Sequence, residues 1–396
     1  MTSDAADLLR AAPPAAWPDP PAAYSFTSLA VIEECPRRWA LQNAEYPELW
    51  GSRGYPRLLN VRQLTGLAVH AALETLISSL AEAGIPSALA PGAVEVLTRH
   101  GGLSVVLADA LEAELGRASE NPRAIQRMGR IRRQAEELMP ETRAALQRML
   151  SEVHGLAQRA KGGGGGSGKL GEGASEEVTL RSPGLKLIGV ADLITLGPDH
   201  VEIRDFKSGR PKEQHLEQLK FYALLWSCDR RRNPEGRLVT ALALSYPGGD
   251  RVVPVPTERD LTEFAEEIRG RVEAARSALG ALPPPARPAV AACSRCDVRH
   301  LCEEYWVTKG SVDGEYVDLE VTIAASEAPG TVTTQARLPG QREANPARLR
   351  GATPRLFPEG LEARVLGARV SRMDAEVGDA TPEFVLTSAS EVFALP

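Results

Sequence analysis

The chain contains 396 residues, 43% of them hydrophobic and 25% charged, and its formal net charge is -6. This length predicts two or three domains with a large buried core, and no apolar run approaches the roughly 18 residues that would predict a membrane span. The negative charge excludes the overall basic field of a histone-like DNA coat but not a locally positive channel, and the N-terminus lacks a secretory signal pattern, which predicts a cytoplasmic protein.

The first part of the chain has a helical pattern. Residues 1–24 predict a flexible arm, and SFTSLAVIEECPRRWALQ, near the start of the next segment, predicts an amphipathic helix that contains Cys35. From about 62 to 160, apolar residues recur at intervals of three and four, which is typical of helices that share a core. These residues therefore predict a helical subdomain.

A glycine-rich segment at 162–173 follows the helices and predicts a flexible surface loop. Its letters GGGGGSGK have the glycine and lysine spacing of a phosphate-binding loop. Leu170 nevertheless stands where the magnesium-binding Ser or Thr should be, and no strand precedes the segment. We therefore predict no nucleotide binding or hydrolysis.

Beyond this loop the pattern changes from helices to strands. The letters EEVTLRSPGLKLIGVADLITLGPDHVEIRDFKSG predict a three-stranded meander with turns at SPG and GPD. QHLEQLKFYALLWSC then predicts an amphipathic helix, RLVTALALSYPG and RVVPVPT predict two more strands, and DLTEFAEEIRGRVEAARSAL predicts another helix. The predicted fold class is α/β (α+β), with a small mixed sheet flanked by helices.

Residues 312–396 alternate between strands and turns and predict a separate small β-barrel of the OB-like type. The predicted strands lie in YVDLEVTIAA, GTVTTQARL, EARVLGARVSR and EFVLTSASEVF. Because the segment has few aromatic residues, two interpretations stay open for its ligand, single-stranded DNA or a partner protein.

Acidic and basic side chains coincide on two neighbouring strands of the predicted meander. Asp205 and Lys207 project to the same face of their strand while Phe206 enters the core, because strand side chains alternate. If Asp192 on the preceding strand lies opposite them, two carboxylates and an ammonium converge on one site, which suits a hard divalent cation and a bound water. An isolated D-x-K triplet is more often a surface salt bridge. The neighbouring motifs therefore decide whether this triplet belongs to a metal site.

Those motifs are Gly189-x-x-Asp192, the D-x-K triplet, Gln218-x-x-x-Tyr222 and His70 within the upstream TGLAVHAALE. In this order they resemble the active-site signature of RecB-like PD-(D/E)XK nucleases. The resemblance implies a restriction-endonuclease-like mixed sheet with a helical subdomain. The resemblance covers roughly residues 25–306, within a nuclease domain expected at 25–311. It implies a metal-dependent enzyme that hydrolyses DNA, with DNA as its partner and Mg or Mn as its cofactor.

The resemblance also implies a role for each matching residue. His70, Asp192, Asp205 and the backbone carbonyl of Phe206 would bind the metal, although a lone helix histidine is more often structural. Lys207 would position the attacking water and stabilise developing charge. The remaining two catalytic positions, Gln218 and Tyr222, would support the site and contact DNA.

Three of the five cysteines follow a short spacing, Cys293-x2-Cys296-x5-Cys302, which predicts a metal site rather than disulfides. Cys35 and Cys228 are the candidates for a fourth ligand, and Cys228 has the position of a packed core thiol. The context of Cys35, EECPRRW, resembles that of iron-sulfur members of the nuclease family, such as AddB-type subunits and CRISPR-associated exonucleases. The resemblance implies a 4Fe-4S cluster bound by Cys35 and the C-terminal trio, and structural zinc remains the alternative.

An arginine-rich stretch in the helical subdomain has two interpretations, a DNA-backbone contact or a solvated helix face. Its members are Arg123, Arg127, Arg130, Arg132 and Arg133, and Arg127, Arg130 and Arg133 are the predicted DNA-binding residues. The favoured function is an exonuclease on single-stranded DNA or DNA ends, in repair, antiviral defence or CRISPR-type processing. The alternatives are a non-catalytic DNA-binding subunit of a helicase-nuclease or defence complex, and a ribonuclease.

Overall fold

We describe the protein from a computed structural model. The residues described are 8–396, without 52–53, 100, 155, 157–167, 309–313, 353–355 and 373–380. The core of the predicted glycine-rich loop, 162–167, and the predicted boundary between nuclease and barrel domains at 311/312 therefore lie outside the described residues.

Eleven α-helices occur among the described residues: α1 Phe26–Glu34, α2 Pro36–Asn43, α3 Pro47–Trp50, α4 Val61–Glu82, α5 Ala93–Arg99, α6 Gly102–Ser119, α7 Met128–Ser151, α8 Glu213–Cys228, α9 Glu258–Leu279, α10 Val290–Cys293 and α11 Glu303–Val307. The strands in the same ranges are β1 Leu9–Arg10, β2 Gly173–Ser182, β3 Leu187–Leu196, β4 Val201–Phe206, β5 Ala241–Tyr246, β6 Gly249–Val253, β7 Tyr316–Ala328, β8 Thr331–Arg337, β9 Asn345–Arg350, β10 Glu362–Arg372, β11 Glu383–Val385 and β12 Glu391–Ala394. This mixture confirms the predicted α/β class.

The chain forms two compact units. The mixed-sheet unit consists of Pro20–Ala30 and Leu58–Ser277, and the barrel unit consists of the described parts of Met1–Asp19, Val31–Arg57 and Ala278–Pro396. Contacts thus group the cysteine-rich segment 293–302 with the C-terminal barrel, whereas the sequence analysis assigned that segment to the nuclease domain.

The mixed-sheet unit contains five strands in the order β2-β3-β4-β5-β6. All neighbours are antiparallel except β4 and β5, which are parallel. Parallel neighbours require a crossover connection, and α8 supplies it by packing against the sheet. The predicted meander corresponds to β2, β3 and β4.

Helices α4, α6 and α7 form the helical part of this unit around a core that includes Leu73, Leu107 and Leu146. Among the described helices, α4 is long and apolar enough to cross a membrane by length and composition alone, which the sequence analysis did not anticipate. In its most apolar window, 61% is buried inside the protein. Packing against α6 and α7 accounts for this composition.

The prediction of a single helix around Cys35 is wrong. Helix α1 ends at Glu34, Cys35 is extended with φ -161° and ψ 107°, and α2 begins at Pro36. Proline lacks a backbone N–H, and its ring disfavours the helical conformation in the preceding residue. The chain therefore turns at Cys35, which places the thiol at a helix junction rather than on a helix face.

The barrel unit confirms the predicted small barrel. Strands β7, β8, β9, β11 and β10 follow one another in a closed ring, because β10 also pairs with β7. The interior is filled by residues such as Leu319, Val332 and Val365. Strand β9 was not predicted, and its letters NPARLR, with a proline and two arginines, explain why.

Residues 8–24 do not form the predicted flexible arm. Leu9 and Arg10 pair in parallel with Phe393 and Ala394 of β12. Further along, Tyr24 is buried and its backbone exchanges hydrogen bonds with β3 and the turn before it. Ladder hydrogen bonds and apolar burial hold this segment, and the sequence alone does not reveal the strands that bind it.

Candidate active site

Asp192 and Asp205 meet on adjacent strands. Leu193 on β3 pairs with Arg204 on β4, so the next positions in this antiparallel register place Asp192 opposite Asp205. The backbone N–H of Phe206 donates to Asp192 Oδ2 at 2.7 Å, which fixes this carboxylate at the end of β4. Both carboxylates line one cleft of about 320 Å³.

Lys207 follows Asp205 and reaches into the same cleft. Its Nζ lies 2.6 Å from Asp205 Oδ2 and donates to Gln218 Oε1 at 2.9 Å. The amide of Gln218 in turn donates to the hydroxyl of Tyr222 at 2.9 Å. Because Gln218 and Tyr222 share one face of α8, this chain of hydrogen bonds fixes the ammonium beside the carboxylate.

Two glycines allow helices to approach the site closely. A Cβ on Gly189 would lie 2.8 Å from Leu225 Cδ1 and 2.9 Å from Tyr222 Cε1, so α8 can rest on β3 only without a side chain there. A Cβ on Gly66 would lie 2.6 Å from the hydroxyl oxygen of Ser208. The G-x-x-D motif therefore has a packing role beside its carboxylate.

A histidine and a second acidic side chain complete a group suited to a cation. Ligand atoms of His70 on α4, Glu177 on β2 and Asp192 all lie within 4.8 Å of one another, and His70 Nδ1 is 3.6 Å from Asp192 Oδ2. Burial lowers the pKa of His70, which favours the neutral imidazole that binds metals. This donor set of one nitrogen and several oxygens fits Mg or Mn.

Glu177 is not among the site residues predicted from the sequence. It lies opposite Asp192 in the β2–β3 register and has φ 48°, a left-handed conformation that is uncommon for glutamate. Partial desolvation raises the pKa of its carboxyl. In the sequence, the adjacent glutamates Glu176 and Glu177 suggest that an acidic side chain could join the site. Only the strand register and the backbone conformation show that this side chain is Glu177.

The carboxylates at the centre of the site are poorly solvated. Burial raises the pKa of Asp192 to about 7, opposed by the Phe206 N–H and the charge of Lys207. Burial also raises the pKa of Asp205 to about 7, and the neighbouring Asp192 adds to this rise. Such groups ionise at neutral pH when a cation neutralises them, so the site is suited to a divalent ion.

Divalent-cation binding should strengthen between pH 6 and pH 8. At pH 6 a cation must displace protons from Asp192 and Asp205, and at pH 8 both are largely ionised, so we expect the Kd for Mn²⁺ to fall about tenfold to a hundredfold. Titration calorimetry of the wild type and Asp205→Asn measures this, and the variant should have the shallower dependence. An equal slope in both proteins would contradict the assignment.

The same shifts affect folding without metal. A folded-state pKa of about 7, above the unfolded value, makes these carboxyls stabilising at low pH, and that contribution is lost as the pH rises through 7.

A larger groove of about 1020 Å³ opens beside the active-site cleft and shares Ser208, Gly209 and Arg210 with it. Its walls come from α4, α7 and the turn between β5 and β6. Among the described residues that line it, Arg62, Arg210 and Arg251 are basic, and one residue, Glu141, which lies 3.8 Å from Arg62, is acidic. A locally basic groove therefore leads to the cleft in this acidic protein.

The arginines predicted to bind DNA lie elsewhere. Arg127, Arg130 and Arg133 do not line the cleft or the groove, to which α7 contributes residues from Leu138 onward. Arg123 is buried, which is inconsistent with the backbone contact considered for it, and Arg132 forms an ion pair with Glu112. Of these five arginines, Arg130, Arg132 and Arg133 lie on α7, whereas Arg123 and Arg127 precede it.

Four cysteines line one cavity in the barrel unit: Cys35, Cys293, Cys296 and Cys302. Burial raises the pKa of the Cys296 and Cys302 thiols to about 12, so a thiophilic cation would be needed to hold them as thiolates at neutral pH. Cys228, the fifth, lies at the end of α8 in the mixed-sheet unit. The donor set thus fits a four-thiolate metal group, as predicted for the first four.

Salt bridges hold this cysteine segment to its surroundings in the barrel unit. Arg37, one residue beyond Pro36, forms two parallel hydrogen bonds of 2.8 Å with Glu304. Arg299 donates to the Cys296 carbonyl at 3.0 Å and forms an ion pair with Asp318 on β7. These charge-assisted hydrogen bonds therefore hold the segments that form the cavity in fixed positions.

The fold and this cleft define a class of protein in which a candidate divalent-metal site lies on a mixed sheet beside a groove lined by arginines. The chain belongs to the PD-(D/E)XK nuclease superfamily, whose sequence profile it matches over residues 23–303. That range contains the whole cleft and all five cysteines. No curated protein gave a significant match.

Proposed function

We propose that this superfamily member is a RecB-like, Mg- or Mn-dependent deoxyribonuclease that hydrolyses phosphodiester bonds as an exonuclease on single strands or DNA ends. The observation that carries the proposal is the convergence of Asp192, Asp205 and Lys207 in a cleft that opens into a basic groove. We further propose that it works in the cytoplasm, in repair or in antiviral or CRISPR-type DNA processing.

The metal ligands proposed are His70, Asp192, Asp205 and the carbonyl of Phe206, joined by Glu177. A bound divalent cation neutralises charge on phosphoryl oxygens and lowers the pKa of a bound water. The buried Oδ2 atom of Asp205 is 2.6 Å from the Lys207 ammonium, and the remaining lone pairs of the carboxylate can bind a cation. Because the carboxylates are buried, their negative charge must be compensated, and we propose that a bound cation does this in place of protons.

Lys207 is proposed to orient the attacking water and to stabilise negative charge that develops on the phosphate. Gln218 holds its ammonium through Oε1, and Tyr222 holds Gln218, so the ammonium keeps one position through the reaction. We propose that the same two residues also contact DNA. The Tyr222 hydroxyl stays protonated, because burial raises its pKa.

The substrate class is tested with matched oligonucleotides. Purified protein with Mg²⁺ or Mn²⁺ should degrade labelled single-stranded DNA faster than blunt duplex DNA and RNA of the same sequence, since one strand enters such a groove more easily than a duplex. Circular single-stranded DNA, which has no end, should resist cleavage. Equal degradation of circular and linear strands would show endonuclease action, and preferential RNA cleavage would refute the DNA assignment.

Arg127, Arg130 and Arg133 remain proposed DNA contacts outside the cleft. Alanine variants of Arg130 and Arg133 should weaken binding at low salt and reduce its salt dependence if they contact phosphates. The matched variant is Arg259→Ala on α9, whose guanidinium pairs with Glu263.

Glu177→Gln is expected to weaken Mn²⁺ binding about tenfold to a hundredfold, because it removes one anionic oxygen from the ligand group. The fold should survive, since Glu177 is exposed. Glu176→Gln is the matched control on the same strand. Calorimetry measures both, and a weaker site in the Glu176 variant alone would contradict the assignment.

We also propose that Cys35, Cys293, Cys296 and Cys302 bind a 4Fe-4S cluster of the kind found in AddB-type nucleases. Support comes from the cavity that all four cysteines line and from the resemblance of the Cys35 context to iron-sulfur members of the family. A four-thiolate zinc site is the alternative, and metal analysis distinguishes the two.

A further inference from the structure

A histidine and a tyrosine connect the active-site cleft to the groove. His215, in the first turn of α8, lines the cleft, while Tyr246 ends β5 and lines the groove. The Nδ1 atom of His215 lies 2.8 Å from the Tyr246 hydroxyl, and the two rings are inclined by 29° with centroids 5.8 Å apart. Neither residue belongs to the motifs that indicated a nuclease.

Both members of the pair are uncharged at neutral pH. Desolvation, together with the charges of Lys207 and Lys212, lowers the pKa of His215 to about 4. Burial raises the pKa of Tyr246, which keeps its hydroxyl proton. When that hydroxyl donates to Nδ1, the imidazole proton is on Nε2, so His215 presents one donor whose direction is set by Tyr246.

Cationic side chains line the same two openings as this pair. Arg210 and Lys212 line the cleft with His215, and Arg251 lines the groove with Tyr246. All three are exposed, and none forms an ion pair with another residue in the described part of the chain. A polyanion that leaves the cleft through the groove would therefore meet a neutral donor flanked by positive charge.

We propose that His215, oriented by Tyr246, donates a hydrogen bond from Nε2 to the phosphodiester next to the scissile one on the groove side, with Arg210 and Lys212 neutralising the same stretch of backbone. The pair is then a phosphate subsite of the enzyme. This inference rests on the proposed nuclease function and adds that efficient cleavage requires a nucleotide beyond the cut bond.

The test measures cleavage of single-stranded oligonucleotides in which one phosphate at a time is replaced by an uncharged methylphosphonate. On unmodified DNA, His215→Ala should raise KM about tenfold with kcat nearly unchanged, because it removes a hydrogen bond to a charged group. On the one substrate that lacks the contacted phosphate, wild type and His215→Ala should have equal KM values. Tyr246→Phe should give a smaller rise at the same position.

Matched variants distinguish contact from folding. His200→Ala, in the turn between β3 and β4, and Tyr316→Phe in the barrel unit should leave KM unchanged, and His215→Gln, which keeps a donor, should recover part of the loss. Thermal unfolding verifies that each variant is folded.

The outcomes separate the two proposals. A KM defect of the same size on every methylphosphonate substrate, or a fall in kcat alone, would overturn the phosphate subsite while the nuclease assignment stands. A wild-type protein that cleaves no DNA with either metal would refute both.

Discussion

Asp205→Asn and Lys207→Ala should each reduce metal-dependent DNA cleavage by a factor on the order of 10³. The first change removes a buried carboxylate charge from the metal site, and the second removes the ammonium that faces it at 2.6 Å. Initial rates on labelled single-stranded DNA with Mn²⁺ measure both losses. Asp199→Asn, in an exposed turn, and Lys220→Ala, on the other side of α8, are the matched controls.

The two variants should fail for different reasons. Asp205→Asn should bind Mn²⁺ more weakly, whereas Lys207→Ala should keep or improve its affinity because a positive charge leaves the site. Calorimetry beside the rate assay separates these effects. Equal residual cleavage in wild type and both variants would mean that the activity comes from a contaminant and would leave the chain with a DNA-binding role.

Cys302→Ser or Cys35→Ser should remove the thiol-bound metal and destabilise the barrel unit by on the order of 5 kcal/mol or more, since binding energy of a structural metal is folding energy. Iron and zinc analysis, visible absorption and thermal unfolding measure the change. Cys228→Ser is the matched control, because that cysteine lies in the other unit and outside the cavity. It should retain the full metal content.

This experiment also decides where the metal acts. The four cavity cysteines lie in the barrel unit, while the carboxylates lie in the mixed-sheet unit. Loss of the thiol-bound metal should therefore leave Mn²⁺ affinity at Asp192 nearly unchanged. Stoichiometric zinc in protein prepared without oxygen would contradict the proposed cluster, and unchanged stability of both variants would contradict a structural role.

Much of the site is predictable because strand geometry is simple. The alternation of side chains alone puts Asp205 and Lys207 on one face, and a short turn brings Asp192 on the preceding strand close to them. The i to i+4 spacing likewise places Gln218 and Tyr222 on one helix face. Only the resemblance to a known family suggested His70, because nothing in a helical pattern reveals which sheet that helix approaches.

Other features depend on contacts between distant segments, and the sequence did not reveal them. Glu177 joins the site through strand register and a left-handed backbone. Arg123 precedes α7, and its burial depends on packing that its local sequence does not show. The N-terminal strand β1 forms by pairing with β12. The helix break at Cys35 is different, because Pro36 is a local sequence feature that predicts it. The prediction of one continuous helix followed the apolar spacing instead.

The ion pairs of the barrel unit bear on how its C-terminal strands should be studied. Asp318 on β7 accepts hydrogen bonds from Arg299, Tyr305 and the N–H of Gly367, and the buried Arg364 on β10 contacts Glu303 and the His300 carbonyl. Truncation before β7 would strand the Arg299 guanidinium without its counterion and damage the cysteine cavity as well. Ligands of the barrel are better mapped by charge reversal at outward-facing residues, which leaves this anchoring intact.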